Sequence, residues 1–177
     1  MNRTKNRVLV KCLITPRHAM AFAISTAVAG GLTLGMFVNS TAMCLGIANL
    51  LLYVCVYTPM KRITTANTWV GSVVGALPPL IGYASATGGT LDYGAGILAA
   101  ILFSWQFPHF NSLSWNLRPD YSKAGYRMMS VTNPELCKRV ALRHSIACIG
   151  ICSVAAPLLD GNIHKFHSQN KFVMLTQ

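Results

Sequence analysis

From Ala19 to Met60 the chain runs for 42 residues without a charged side chain. A helix crossing the hydrocarbon core of a bilayer needs about 20 mostly apolar residues. The stretch therefore holds two crossings, parted at Asn39-Ser40-Thr41 into spans near 19–38 and 42–58. Two more charge-free stretches follow, Ile63 to Leu91 and Tyr93 to Leu117, and predict spans near 68–86 and 93–110. A weaker apolar run predicts a fifth near 140–159, with Arg143 and His144 reaching toward an interface. Composition agrees. Only 11% of the 177 residues are charged, against about 25% in a soluble domain. A hydrophobic content of 53% excludes disorder. The six cysteines contain no C-x-x-C and read as structural, not as a disulfide framework or a redox site. The predicted class is all-α, a polytopic transmembrane helical bundle.

The loops between these spans sort by charge. Residues 1–18 carry Arg3, Lys5, Arg7, Lys11 and Arg17 with no acid, the third loop carries Lys61 and Arg62, and the fifth, 111–139, is basic overall. The turn at 39–41 is uncharged and the loop 87–92 carries only Asp92. By the positive-inside rule the odd loops share the cytoplasm-like side. Helix-start chemistry supports the boundaries. Thr15-Pro16 and Asn133-Pro134 each place a capping residue before a proline suited to the first helical position. Pro78-Pro79 falls inside the third span and should kink it. Gly31-x-x-x-Gly35 and Gly71-x-x-x-Gly75 have the small-residue spacing that lets membrane helices approach closely.

Polar groups gather on the basic side in three clusters: Arg3 to Lys11, Tyr57 to Asn67 and His109 to Arg127. Arg3, Arg7 and Lys11 are four apart and would share one face of a helix. Converging basic loops make a mouth that favours phosphate or carboxylate. They equally serve topology and lipid head-group contact. Gln106, His109 and Asn111 arrive together at the end of the fourth span, and ionisable groups at membrane depth tend to be functional. Pro119 ends that helix, which breaks any alignment of His109 with Asp120. Asp120 stands among Arg118, Lys123 and Arg127 as the one well-placed carboxylate for a magnesium-diphosphate site, which uses one or two. The basic residues sit in short loops between spans, so nucleic acid is not an expected partner. A transporter is disfavoured because the polar groups lie at one face and not at mid-membrane.

Across these clusters the sequence resembles the protoheme IX farnesyltransferase (haem O synthase) family of UbiA-type membrane prenyltransferases, most of all its animal mitochondrial version. Met1 to Leu9 resembles the M-x-R-T-x-x-R-x-L stretch closing the family's first aspartate-rich motif. Tyr57-Thr58-Pro59-Met60-Lys61-Arg62, Asn67-Thr68-Trp69-Val70-Gly71 and Gly75-Ala76-Leu77-Pro78-Pro79 follow in family order. Trp105-Gln106-Phe107-Pro108-His109-Phe110, Asp120-Tyr121 and Met128-Met129-Ser130-Val131 complete the match.

The resemblance implies transfer of the farnesyl chain of farnesyl diphosphate to a vinyl group of haem B, with water added, giving haem O. Mg2+ would assist departure of diphosphate. It implies a mitochondrial inner membrane protein with its basic loops on the matrix side. Arg3 and Arg7 would clamp the diphosphate or a haem propionate, with Lys61 and Arg62 adding charge. His109 would hold a propionate, ligate the iron or handle a proton, and Asp120 would hold magnesium or orient a basic partner. Tyr57, Asn67 and Gln106 would position substrate. Expected partners are the two substrates, the lipid bilayer, and a homo-oligomer or haem-pathway membrane proteins.

The sequence also departs from the family. Cys12 stands where the family usually has glycine, and the motif's Asn and Asp residues lie upstream of the matching stretch. The expectation is a partial transmembrane domain over 1–160, about five spans of the family's roughly nine, with a divergent polar tail over 161–177. Such a chain would be inactive or impaired. The alternative is a non-catalytic membrane subunit or assembly partner that uses the basic face to bind lipid or a partner.

Overall fold

The computed structural model describes residues 4–174, with side chains described for residues 4–155. Arg3 lies outside the described residues, as do the side chains of the expected tail over 161–177. Every regular element among the described residues is a helix: α1 Pro16–Phe37, α2 Ser40–Leu51, α3 Thr58–Ile63, α4 Asn67–Ala86, α5 Tyr93–Asn116, α6 Arg118–Lys123, α7 Met129–Thr132 and α8 Pro134–Met174. A π-helical turn over Leu52–Tyr57 joins α2 to α3, so one rod runs from Ser40 to Ile63.

The start signals read in the sequence act as expected. The Thr15 hydroxyl accepts from the His18 N–H at 3.4 Å and Pro16 opens α1. Asn133 accepts from the Leu136 N–H at 3.0 Å and Pro134 opens α8. Among the described residues three helices are long and apolar enough to cross a membrane: α1, the Ser40–Ile63 rod and α4. The other two of the five expected spans fall on α5, whose apolar run is diluted by Gln106 and His109, and on the first part of α8, which runs on past the residues whose side chains are described. α1 buries no residue, so its apolar surface needs a non-aqueous surrounding.

Neighbouring helices alternate in direction. On α1, Gly31 and Gly35 face Ile47 and Met43 of α2. This is the close approach their spacing predicts. Asn39 caps α2 through the Ala42 N–H at 2.8 Å, and its amide donates to the Ala84 carbonyl at 2.9 Å. The uncharged turn at 39 and the loop 87–92 therefore meet at one end. At the other, the Arg127 N–H donates to the Lys61 carbonyl at 2.9 Å and joins the third loop to the fifth. The charge sorting of the loops is thus also a spatial sorting, and α1 begins at the basic end. α5, α7 and α8 pack through Phe107, Met129, Cys137 and Val140, with Phe103 against them. His144 stacks on Phe107 at 3.7 Å, with Trp69 and Phe103 edge-on. The fully buried Phe107 ring offers it an aromatic partner inside the bundle.

The segment before α1 is not one continuous helix. It is a run of turns in which the Lys11 N–H bonds to the Arg7 carbonyl at 2.9 Å, closed by a Schellman motif: the Leu13 N–H bonds to the Val8 carbonyl at 3.0 Å and the Cys12 N–H to the Leu9 carbonyl at 3.2 Å. Cys12 takes the left-handed position at φ 55, where glycine is the unstrained choice. Cys12→Gly is expected to stabilise the protein by about 1 kcal/mol, read as a raised thermal midpoint in detergent. At the opposite end Asp92 caps α5. The Tyr83 hydroxyl at 2.5 Å, with the N–H groups of Gly94 and Ala95, holds its carboxyl below the usual 3.8. A depressed folded value stabilises above the unfolded value and is lost as pH falls through the folded one. The stability advantage of the natural chain over Asp92→Ala should hold from neutral pH to about 4 and vanish in stronger acid, as parallel unfolding curves would record.

Candidate functional site

A cavity of about 250 Å³ opens between the α2–α3 rod, α4 and α5. Tyr57, Thr68, Gly71, Ser72, Gly75, Leu102, Trp105, Gln106, His109 and Phe110 line it. It exists because α4 presents two glycines to its neighbours. A Cβ on Gly71 would lie 2.7 Å from the Tyr57 ring, and one on Gly75 would overlap the Gln106 carboxamide. The sequence read this pair as plain helix packing. The structure makes it the seat of two expected site residues.

Gln106 spans the gap between helices. Its amide nitrogen donates to the Ser72 carbonyl at 3.2 Å and to the Leu102 carbonyl at 3.0 Å, which leaves its carbonyl oxygen as the remaining acceptor. Ser72 is itself spent on the Thr68 carbonyl at 2.9 Å. The Thr68 hydroxyl is buried and makes no hydrogen bond among the described residues. His109 is exposed and stacks on Trp105 at 4.5 Å with the rings 13° apart. The cavity thus has apolar walls and a few convergent polar groups, the usual build of a small-molecule site.

The π turn sets the cationic side. Pro59 has no N–H to continue the helical ladder. The Thr58 N–H turns instead to the Tyr53 carbonyl, and its hydroxyl donates there as well at 2.8 Å. Tyr53 and Tyr57 come to 5.4 Å ring to ring, and the Lys61 ammonium lies 4.2 Å from the Tyr57 centroid and 5.4 Å from that of Tyr53.

The expected residues divide accordingly. Tyr57, Gln106 and His109 meet at the cavity, with Lys61 against Tyr57. Asn67 does not join them. It is fully buried, and its amide donates to the Thr64 carbonyl at 2.5 Å and to the Arg127 carbonyl at 3.0 Å. It is a clasp between two basic loops. Asn111 likewise turns away and donates to the Cys137 carbonyl at 3.1 Å, since a residue two beyond His109 faces nearly the opposite side of a helix. Arg62 leans on Tyr126 at 6.0 Å. Arg7 lies exposed in the turns before α1. Asp120 sits in α6, half-buried, after the chain breaks at Leu117. Among the described residues no three His, Cys, Asp or Glu side chains gather as a metal site. Thr68, Ser72 and Arg127 were not picked out. The first two carried no signal beyond their place within the third span, and Arg127 acts through its N–H, its carbonyl and its guanidinium, which donates to the Ile63 carbonyl at 3.3 Å.

The sequence model of the UbiA prenyltransferase family matches residues 1–164. The chain is 59% identical over 160 residues to the mitochondrial protoheme IX farnesyltransferase of Homo sapiens, covering 90% of this chain and 36% of that protein. It is 58% identical to that of Pongo abelii over the same shares. It is 44% identical to that of Pyricularia oryzae, over 87% of this chain and 32% of that protein. The chain thus spans about a third of the length of the curated relatives it matches. No solved structure matches.

The glycine seats generate a compensation test. Gly75→Ala forces a methyl into the space of Gln106, and overpacking of this kind costs about 1–3 kcal/mol. The thermal midpoint should fall, and adding Gln106→Ala should recover part of the loss. An unchanged midpoint in Gly75→Ala would contradict the contact.

Proposed function

The chain belongs to the UbiA prenyltransferase family, and from that membership we propose that it serves the transfer of a farnesyl group from farnesyl diphosphate to protoheme IX (haem B), giving haem O. The observation that carries this reading is the meeting of Tyr57, Gln106 and His109 around one cavity, with Lys61 beside it. These residues come from two separate stretches that match enzymes named protoheme IX farnesyltransferase. The reaction forms a bond between the first carbon of the farnesyl chain and a vinyl carbon of haem B. Diphosphate leaves with the electron pair of the broken C–O bond, and water supplies the hydroxyl with loss of a proton.

The residues suit these demands. Lys61, Arg62, Arg7 and, by its place in the motif, Arg3 supply fixed cations for the anion that develops on diphosphate. Leu102, Phe110, Trp105 and the bare glycine surfaces offer an apolar wall to the isoprenoid or porphyrin. His109, exposed at the cavity with its ring held flat on Trp105, can carry a proton or contact a propionate. Asp120 offers one carboxylate to a magnesium ion that otherwise keeps water and phosphate oxygens. Its isolation among the described residues implies a slow reaction. The setting proposed is the mitochondrial inner membrane, with the basic end on the matrix side. Residues 1–160 are read as the transmembrane domain and 161–177 as a divergent tail. A homo-oligomer or haem-pathway membrane proteins would be its partners.

The same isolation of Asp120 favours a second reading, a non-catalytic membrane subunit that binds anionic lipid or a partner through its basic end. One assay separates the two. Purified protein given haem B, farnesyl diphosphate and magnesium should form haem O, and His109→Ala and Arg7→Ala should each cut the rate about 100-fold. Haem O formation unchanged by both substitutions would overturn the site. No haem O from the natural chain, with retained binding to anionic vesicles, would establish the second reading.

A further inference from the structure

We propose that Tyr53, a residue outside the cavity and outside the matched motifs, is a positioning residue. Through the π turn it holds the Lys61 ammonium ready for a diphosphate anion. The inference rests on the reading of the cavity given above and deepens it.

Among the described residues Lys61 has no carboxylate to hold it. The ion pair among the described residues is Lys138 with Glu135. What surrounds its ammonium is aromatic: the Tyr57 ring at 4.2 Å and the Tyr53 ring at 5.4 Å. A ring face attracts a cation through its quadrupole but does not neutralise it. An ammonium held this way keeps its charge for an incoming anion, whereas a salt-bridged one would have to exchange partners.

Three features make the arrangement rigid. Tyr57 is backed by Gly71, with no side chain between ring and helix. Tyr53 is fixed through its carbonyl, which receives both the N–H and the hydroxyl of Thr58. The backbone of Lys61 is fixed through its carbonyl by the Arg127 N–H at 2.9 Å. The wide π turn carries Tyr53 and Tyr57 to the same side as Lys61, and such turns recur at functional sites. Tyr53 is exposed, as are its neighbours Val54 and Val56, so no burial in the core explains its place. The recognised chemistry is a compact phosphate anion, which either soluble diphosphate or a lipid head group would supply.

The test uses the full chain in neutral phosphatidylcholine nanodiscs with inorganic diphosphate as probe. Binding is measured for the natural chain, Tyr53→Phe, Tyr53→Leu, Lys61→Ala and the Tyr53→Leu/Lys61→Ala pair, each checked for folding by its thermal transition. Tyr53→Leu is expected to weaken diphosphate binding about two- to fivefold, the worth of one cation–π contact. Tyr53→Phe, which keeps the ring face, should bind like the natural chain. In the Lys61→Ala background Tyr53→Leu should add nothing. The proposal is overturned if Tyr53→Leu binds normally, if it weakens binding equally without Lys61, or if the natural chain does not bind diphosphate. Repetition in nanodiscs containing anionic phospholipid identifies the source of the anion. Undiminished binding is expected; competition that disappears in Lys61→Ala would assign the seat to a lipid head group and overturn the diphosphate assignment. Should diphosphate bind as expected while no haem O is ever formed, the farnesyl-transfer reading fails and the role of Tyr53 stands.

Discussion

The close approach of three rods at α4 is the contact on which the cavity depends. Gly71 and Gly75 carry no side chain where the Tyr57 ring and the Gln106 carboxamide press against the helix. In a bilayer, helices gain little from hiding apolar surface from one another, because lipid is as apolar as they are. Association there relies on van der Waals fit and on hydrogen bonds across helices. α4 supplies both: bare backbone at two glycines, and the Ser72 carbonyl that receives the Gln106 amide. The small cavity is the space left between surfaces that meet this closely.

The two ends of the bundle are closed by different means. At the uncharged end Asn39 satisfies its own helix and the Ala84 carbonyl of α4, and Asp92 satisfies the start of α5. The tripeptide Asn39-Ser40-Thr41 is therefore the cap and start of α2. At the basic end, Asn67 and Arg127 bind the third loop to the fifth through backbone carbonyls. The Arg127 guanidinium is spent on the Ile63 carbonyl at 3.3 Å, whereas Lys61 takes part through its carbonyl and keeps its ammonium out of this clasp. Lys61 and Arg62 are held by aromatic rings, and among the described residues Arg118 also rests over a ring, that of Trp115. A basic surface so arranged stays attractive to anions, in keeping with the proposed diphosphate chemistry and equally with an anionic membrane surface.

The outline of the fold was legible in the chain because its determinants are local. Absence of charge over 42 residues, the Thr15-Pro16 and Asn133-Pro134 starts and the basic odd loops all act within a few residues of themselves. Pattern also singled out Tyr57, Lys61, Gln106 and His109, which the fold brings together. It erred where a side chain had two partners to choose between. Asn67 and Asn111 looked like ligand groups, being amides next to a membrane edge. Each is instead turned to a distant carbonyl, Asn67 to Arg127 and Asn111 to Cys137. Cys12 shows the reverse: its departure from a family glycine was visible, but only the φ of 55 explains why glycine belongs there.

By itself the sequence determined that this is a bundle of membrane-crossing helices with one basic end, because solvent partition and charge placement are properties of each segment alone. The tertiary structure decided which polar groups face the cavity and which tie the helices together. That choice depends on the rotation of each helix about its axis, and here the rotation is set by contacts far apart in the chain: a π turn that shifts the register before Lys61, two glycines on α4, and a carbonyl 34 residues away from the amide that binds it.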